Sequence, residues 1–150
     1  MIKHILFILS FTYGLTSVAQ DEVLEMEVTW EDLTDVYFTE EYNEMIGTYQ
    51  FIPDFGPSVE ALNGETIIIT GYAIPIDVAS NSYALSANPY ATCFFCGIGG
   101  AETVMDLRLE DEDERFKTDD IITVKGRLRL NAQNMMELNY VLEEAEVLKD

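Results

Sequence analysis

The fold is decided by residues 66–76, which read Thr-Ile-Ile-Ile-Thr-Gly-Tyr-Ala-Ile-Pro-Ile. Apolar and β-branched side chains in an unbroken run favour a β-strand over a helix. Gly71 lies in the middle of this run, and an interior glycine is typical of a bulge or of a point where another backbone approaches closely. The segment therefore predicts a long strand with a bulge or a sharp coil at Gly71.

Four further strands are predicted after this one. Residues 82–86 form a short apolar run, and residues 103–109, 121–130 and 137–148 alternate between apolar and polar side chains. An alternation with a period of two residues is the pattern of a strand with one buried face. A fold of five strands with a long, kinked first strand predicts a mostly β protein, a small five-stranded OB-like barrel over residues 64–150.

Residues 20–63 predict an acidic N-terminal extension that packs on the barrel and contains short helical turns. Thr39 followed by acidic residues resembles a helix start, so a turn is predicted over residues 39–45, and a second is predicted over residues 58–62. The helix that OB barrels usually carry between their third and fourth strands has no room in residues 110–119. We therefore expect the extension to close the open end of the barrel.

The N-terminus reads as a cleaved signal peptide of residues 1–19. A short basic start is followed by an apolar run over residues 5–11 and by Ser17-Val18-Ala19, which has the small residues that signal peptidase requires, so Gln20 becomes the new N-terminus. The apolar run is shorter than the roughly 20 residues that span a bilayer. The sequence therefore predicts an exported protein, periplasmic or extracellular, with no transmembrane segment in the mature chain.

The charge is strongly negative and unevenly distributed. The chain has 8 basic and 28 acidic residues, and removal of the signal peptide takes away Lys3 and His4, which leaves 7 − 28 = −21. Residues 5–107 contain no lysine, arginine or histidine. Such a surface repels nucleic acid and favours a cationic ligand or a basic partner protein, although acidity also serves simply to keep an exported protein soluble.

The only two cysteines, Cys93 and Cys96, enclose two phenylalanines and are followed by glycine. A disulfide is favoured by export. A metal centre is the alternative, since a CxxC turn directs two sulfurs at one zinc or copper(I) ion, with Glu102 and Asp106 as the nearest carboxylates to complete the set. A thiol-disulfide oxidoreductase is the third reading.

The redox reading is the weakest of the three. A catalytic CxxC opens a helix near positive charge, whereas here Gly97 follows and no cation lies within ten residues. A disulfide that closes so short a loop stabilises by only about 2 kcal/mol. The metal reading lacks a second pair of cysteines, and the mature chain has no histidine to replace it. The disulfide and the metal site both stay open.

Six short motifs are spread over nearly the whole mature chain. They are Trp30-x-x-Leu33, Leu62-Asn63-Gly64, Ile69-x-Gly71-Tyr72-x-Ile74-Pro75-Ile76, Asn88-Pro89-Tyr90 leading to Cys93, Ile122-x-Val124-x-Gly126-x-Leu128 and Tyr140-x-Leu142. Through these motifs the chain resembles a family of exported bacterial proteins of unknown function, which is OB-like and associated with the cell envelope. The resemblance implies the fold and the location, and it ends at the cysteine loop, where family members follow their first cysteine with a histidine and a proline-rich turn.

These observations predict an exported, non-enzymatic accessory or binding module of the bacterial envelope. No pair of carboxylates has a spacing that marks it as the acid and base of a glycosidase. Tyr72, Tyr83, Tyr90 and Phe94 are assigned to the core or rim of the barrel and not to a ligand face. A metal-handling protein built on the cysteines is the alternative function.

Overall fold

A computed structural model of the chain describes residues 25–44, 46–77 and 80–149, and the predicted signal peptide lies outside them. The described chain is mostly β, with one short helix, α1 (Pro57–Glu60), and four 3₁₀ turns at Trp30–Leu33, Tyr90–Thr92, Phe94–Cys96 and Ala101–Thr103. The strands are β1 (Met26–Glu27), β2 (Val36–Asn43), β3 (Thr48–Phe55), β4 (Thr66–Asp77), β5 (Ser82–Ser86), β6 (Val104–Leu109), β7 (Asp120–Leu130) and β8 (Tyr140–Leu148).

Five of these strands close into a barrel. The pairing runs β4–β5–β6–β8–β7, and β7 pairs back onto β4. The neighbours are antiparallel except β6 and β8, which are parallel. Strand β1 adds to β4 in parallel beside the barrel. The predicted fold class, a mostly β protein with a small five-stranded OB-like barrel, is confirmed.

Strand β4 closes the barrel because it is long enough to pair on both sides. It pairs with β7 over residues 66–73 and with β5 over residues 72–77. The register with β7 is continuous across Gly71, so the prediction of a bulge there is wrong. A Cβ atom at Gly71 would lie 2.7 Å from the carbonyl oxygen of Ser86. The glycine is therefore required by the close approach of β5, where β4 changes partner.

The barrel is filled by apolar side chains from alternate positions of its strands. In β7, Val124 and Leu128 are fully buried, while the Arg127 side chain between them is half-exposed. This is the period of two that the sequence predicts for residues 121–130. The largest fully buried side chains are those of Leu33, Val59, Ile67, Ile69, Ile74, Leu85, Val104, Met105, Val124, Leu128, Tyr140 and Leu142.

The segment before β2 is anchored to the barrel by two side-chain hydrogen bonds, in addition to the pairing of β1 with β4. The Tyr140 hydroxyl donates to the carbonyl oxygen of Leu33 at 2.7 Å, inside the core. The Trp30 indole nitrogen donates to the carbonyl oxygen of Thr70 at 2.9 Å. At the start of the Trp30–Leu33 turn, the Asp32 carboxylate accepts from the hydroxyl and the backbone N–H of Thr29, which precedes the turn. These bonds lower the pKa of Asp32.

Residues 39–43 lie in strand β2, so the helical turn predicted over residues 39–45 is wrong. Strand β2 pairs along its whole length with β3, from Val36 opposite Phe55 to Asn43 opposite Thr48. Gly47, at φ +68°, supplies the left-handed backbone of the connecting turn. The local helix-start pattern at Thr39 is overridden by pairing with a distant segment. The other predicted helical turn is present as α1.

The basic side chains of β7 are paired with acids of β8 and its neighbours. Arg129 Nε lies 2.7 Å from Glu143, and Arg127 lies 3.1 Å from the same carboxylate group. Lys125 contacts Glu146 at 3.1 Å and Glu25 at 3.5 Å. The cations of this strand are thus held mostly by acids of β8 and its neighbours, and among the described acids before residue 108 only Glu25 and Asp106 form ion pairs with described cations.

No helix in the described ranges is long and apolar enough to cross a membrane.

Replacing Tyr140 by phenylalanine is expected to lower the free energy of unfolding by about 1–2 kcal/mol, because the buried Leu33 carbonyl loses its donor. Burial raises the pKa of the Tyr140 hydroxyl well above its usual range, so its proton is released only on unfolding. The stability advantage over the variant should therefore hold below the unfolded pKa of about 10 and shrink as the pH rises above it.

Urea denaturation at pH 7 and at pH 10.5 measures both effects. Tyr37→Phe, at an exposed position of the hairpin, is the matched control and should change stability by no more than a few tenths of a kcal/mol. Equal unfolding free energies for wild type and Tyr140→Phe at pH 7 would contradict the anchoring role of this hydrogen bond.

Candidate functional site

The candidate site is a groove of about 560 Å³ between the β2–β3 hairpin and one end of the barrel, which we call the hairpin groove. This volume lies in the range of small-molecule sites. A second hollow, of about 710 Å³ beside Lys149, is lined mainly by charged residues, whereas the walls of the hairpin groove are mostly apolar. Its walls include Phe38 and Ile52 from the hairpin, Phe94 and Glu102 from the loop between β5 and β6, and Asn131 and Leu138.

The cysteine loop, residues 87–103, connects β5 to β6 and is folded tightly on itself. The carbonyl oxygen of Cys93 accepts from the N–H groups of Cys96 at 3.1 Å and of Gly99 at 3.4 Å. Gly97 adopts φ +75°, the left-handed backbone that ends the Phe94–Cys96 turn. A Cβ atom at Gly99 would lie 2.7 Å from the Thr103 hydroxyl. The glycines after the cysteines are thus explained by backbone shape.

The two thiols occupy different environments. Cys93 is buried, Cys96 is exposed, and both are free thiols. The Cys96 thiol donates to the carbonyl oxygen of Tyr90 at 2.8 Å. Desolvation, followed by the charge and hydrogen bonding of Cys93, raises the pKa of Cys96. A raised pKa keeps the thiol protonated at neutral pH, which is unlike the activated thiolate of a redox catalyst.

The structure brings Cys93 and Cys96 together, but it does not gather the two predicted carboxylates around them. The Asp106 carboxylate accepts from the Leu138 N–H at 3.0 Å and lies 3.6 Å from Arg108. In residues 25–149, apart from the undescribed positions, no group of three or more His, Cys, Asp and Glu side chains is placed to hold a metal ion. The disulfide and the zinc or copper(I) site stay predictions.

Glu102 lies in the hairpin groove with its carboxylate against Gly100, in the space that a side chain there would take. The carboxylate is half-buried, and no other described residue forms a hydrogen bond or ion pair with it. Its charge contributes, after burial, to raising the pKa of Tyr140. Glu102 is therefore a carboxylate available to a ligand.

The other acid in the groove is already neutralised. Glu137 accepts from Arg129 at 3.1 Å and from Arg108 at 3.4 Å, and the Arg129 hydrogen bond is the main reason that the pKa of Glu137 is lowered. An acid held by two guanidinium groups offers little attraction to a further cation. Glu102 thus carries the free charge of the groove.

The apolar wall of the groove includes Phe94, the residue that follows Cys93. Its ring packs against the small cluster of Ile74, Ala84 and Val104, and it meets the Phe95 ring edge-on at a centroid distance of 5.6 Å. The prediction places Phe94 in the core or rim of the barrel, and it lies at that rim, where it also lines the groove.

The opposite wall is shaped by Asn131, a buried polar side chain. Its oxygen accepts from the N–H groups of Gln133 and Asn134, and its nitrogen donates to the carbonyl oxygens of Asn134, Glu137 and Leu138. The polar turn of residues 131–134 is thus fixed from inside. The polar sequence of this segment predicts only a turn and does not connect it to a site.

The fold and the groove together define a five-stranded β-barrel module with a groove flanked by a hairpin. The chain is similar to a DUF3299 family protein from Pseudomonas aeruginosa PAO1, known from a crystal structure, with a TM-score of 0.51 and 11% sequence identity over 85% of this chain and 98% of that chain. At this identity the likeness concerns the fold, and it agrees with the predicted resemblance to a bacterial family of unknown function. No family model and no curated protein matches the sequence.

The environment of the thiols predicts selective and slow alkylation. In the folded protein at pH 7.5, iodoacetamide should modify Cys96 alone, and more slowly than it modifies free cysteine, because the raised pKa of Cys96 leaves little thiolate. The rate should increase through pH 9 and above. Buried Cys93 should react only after denaturation.

Intact mass spectrometry counts the adducts, with Cys96→Ser as the control that should take up none in the folded state. Two adducts on the folded wild type, or a rate equal to that of free cysteine, would contradict this description. A mass two daltons below that of the reduced chain before alkylation would establish the predicted disulfide.

Proposed function

We propose that this chain is an exported, non-enzymatic binding module of the bacterial envelope and that the hairpin groove is its ligand site. The observation that carries the proposal is the half-buried Glu102 carboxylate, which lines a groove with apolar walls and has no described partner. Ligand sites combine mainly apolar walls with a few polar groups that fix orientation. The groove has this composition.

The ligand chemistry follows from the walls and the charge. Phe38, Ile52 and Leu138 offer contact to an apolar body, and Glu102 offers a charged anchor. A bound cation would gain a charge-assisted hydrogen bond from a carboxylate that is already partly desolvated. The ligand class is therefore an amphiphilic cation, an amine or guanidine with an apolar part, which agrees with the cationic ligand predicted from the charge distribution.

A binding role is supported over an enzymatic one by the state of the reactive groups. The Cys96 thiol has a raised pKa, and Asp106 is engaged by Arg108 and the Leu138 backbone. General acid–base and nucleophilic catalysis require groups whose pKa is tuned toward the operating pH. One observation supports the metal-handling alternative, namely that the two thiols are adjacent. Native mass spectrometry with added zinc would test whether the thiols bind a metal ion.

Export is tested by the mass of the mature protein. When the full chain is produced in a bacterium with its own N-terminus, we expect the protein in the periplasmic fraction or the medium, beginning at Gln20. Ala19→Arg should block cleavage, because signal peptidase requires a small residue at that position. A product that retains residues 1–19 in the cytoplasm would refute the export part of the proposal.

The ligand class is tested with three probes of one shape: 4-phenylbutylamine, 4-phenylbutanol and 4-phenylbutyrate. The amine should bind roughly 5–10-fold more tightly than the alcohol, the equivalent of about 1 kcal/mol for a partly exposed ion pair. The anion should bind most weakly. Titrations followed by ¹H–¹⁵N NMR should place the shifts at Phe94, Glu102 and Leu138.

Glu102→Gln should remove the preference for the amine over the alcohol while leaving binding of the alcohol unchanged. Glu110→Gln, at an exposed acid outside the groove, is the matched control and should preserve the preference. Equal affinities of amine and alcohol for the wild type, or shifts confined to other surfaces, would refute the groove as a cation site.

A further inference from the structure

The β2–β3 hairpin has an exposed aromatic face. Paired residues of an antiparallel ladder project on the same side, and Glu40 lies opposite Phe51 while Tyr42 lies opposite Tyr49. These pairs alternate with pairs that project on the other side, so all four side chains share one face. The Tyr42 and Tyr49 rings meet edge-on with centroids 5.1 Å apart. We call these four residues the aromatic face.

The rings of this face are largely exposed to solvent, and Phe51 also borders the hairpin groove. Tyr42, Tyr49 and Phe51 are 56%, 61% and 66% exposed. A contiguous apolar patch on a protein surface often marks an interaction site, and tyrosine is enriched among the residues that contribute most to binding at the centres of protein interfaces. The face is therefore suited to protein contact.

The hairpin also offers unpaired backbone. Strands β2 and β3 pair with each other, and neither pairs with another described strand. An open strand edge presents N–H and C=O groups that can receive an extended peptide. A two-stranded ribbon alone is only marginally stable, so an added strand would also stabilise it.

The charge of the hairpin identifies the partner. It carries Glu40, Glu41, Glu44 and Asp54, and none of these acids forms an ion pair with a cation in the described ranges. The sequence has no lysine, arginine or histidine from residue 5 to residue 107. A second copy docked on this face would bring these acids together, and an anionic membrane would be repelled. A basic protein segment is attracted.

We propose that the aromatic face docks a basic, extended segment of a partner protein. Arginine or lysine side chains of the segment lie over the Tyr42 and Tyr49 rings and beside Glu40, where cation–π attraction and ion pairing act together. The segment lies along the hairpin, where open strand edges are available for backbone hydrogen bonds. This surface adjoins the hairpin groove at Phe51, whose side chain also lines the groove, whereas Glu40, Tyr42 and Tyr49 lie outside it. The inference does not rest on the proposed ligand of that groove.

The test uses the full mature chain and two dye-labelled peptides, acetyl-Arg-Thr-Arg-Val-Arg-Thr-Arg-amide and its counterpart with glutamate in place of arginine. In fluorescence anisotropy at 50 mM salt, the arginine peptide should bind at least tenfold more tightly than the glutamate peptide. Raising the salt concentration to 300 mM should weaken the binding of the arginine peptide severalfold, since exposed charges are screened.

Tyr42→Ser combined with Tyr49→Ser should weaken binding of the arginine peptide at least tenfold. Tyr37→Ser is the matched control, because Tyr37 is 73% exposed on the same hairpin but pairs with Asp54 on the opposite face. Glu102→Gln should leave the peptide affinity unchanged, which separates this surface from the groove. Glu40→Lys, a single substitution at an exposed position, tests the acidic part of the same face separately from the tyrosines. It should weaken binding of the arginine peptide about as much as the double tyrosine variant does.

The inference is overturned if the double variant, or Glu40→Lys, binds the arginine peptide as the wild type does. It is also overturned if the two peptides bind equally, or if Tyr37→Ser loses as much affinity as the double variant. Sedimentation that shows dimers in the wild type and monomers in the double variant would assign the face to a second copy instead.

Discussion

The structure depends on the double pairing of β4, which holds β7 on one side and β5 on the other and changes partner at Gly71. The close approach of Ser86 to Gly71 leaves no room for a side chain there. Because β5 and β7 both run antiparallel to β4, the loops that follow them emerge at the same end of the barrel. The cysteine loop and the 131–139 segment meet there, and the groove is the space between them and the hairpin.

Closure also explains how the acidic N-terminal segment is held although only one ion pair, Glu25 with Lys125, links its described residues to a cation. Leu33 enters the core, and the Tyr140 hydroxyl binds its carbonyl oxygen, so the attachment is apolar and hydrogen-bonded. The cations of β7 are meanwhile engaged by acids that lie mostly on β8. Charge is therefore segregated: the barrel's cations are largely neutralised locally, and the hairpin with Glu102 keeps its negative charge. This segregation is the reason that we expect both proposed surfaces to prefer cations.

The barrel could be predicted from the sequence, because alternation within β7 and the long apolar run of β4 are local signals of buried strand faces. The hairpin could not, because Thr39 followed by acids has the local signature of a helix start, and only pairing with residues 48–55 makes it a strand. The adjacency of Cys93 and Cys96 was evident from their spacing. The groove could not be predicted from the sequence, since closure of the barrel brings Phe38, Glu102 and Leu138 together from distant segments.

The cysteine motif acquires a structural explanation that does not depend on sulfur chemistry. Cys93 is buried as a small apolar side chain, Phe94 packs at the barrel rim, and Gly97 and Gly99 allow the loop to fold over itself. Gly100 then leaves the space that the Glu102 carboxylate occupies. The motif is thus a loop-shaping sequence that builds one wall of the groove, and a disulfide or metal at Cys93 and Cys96 would act on a backbone that its glycines already shape.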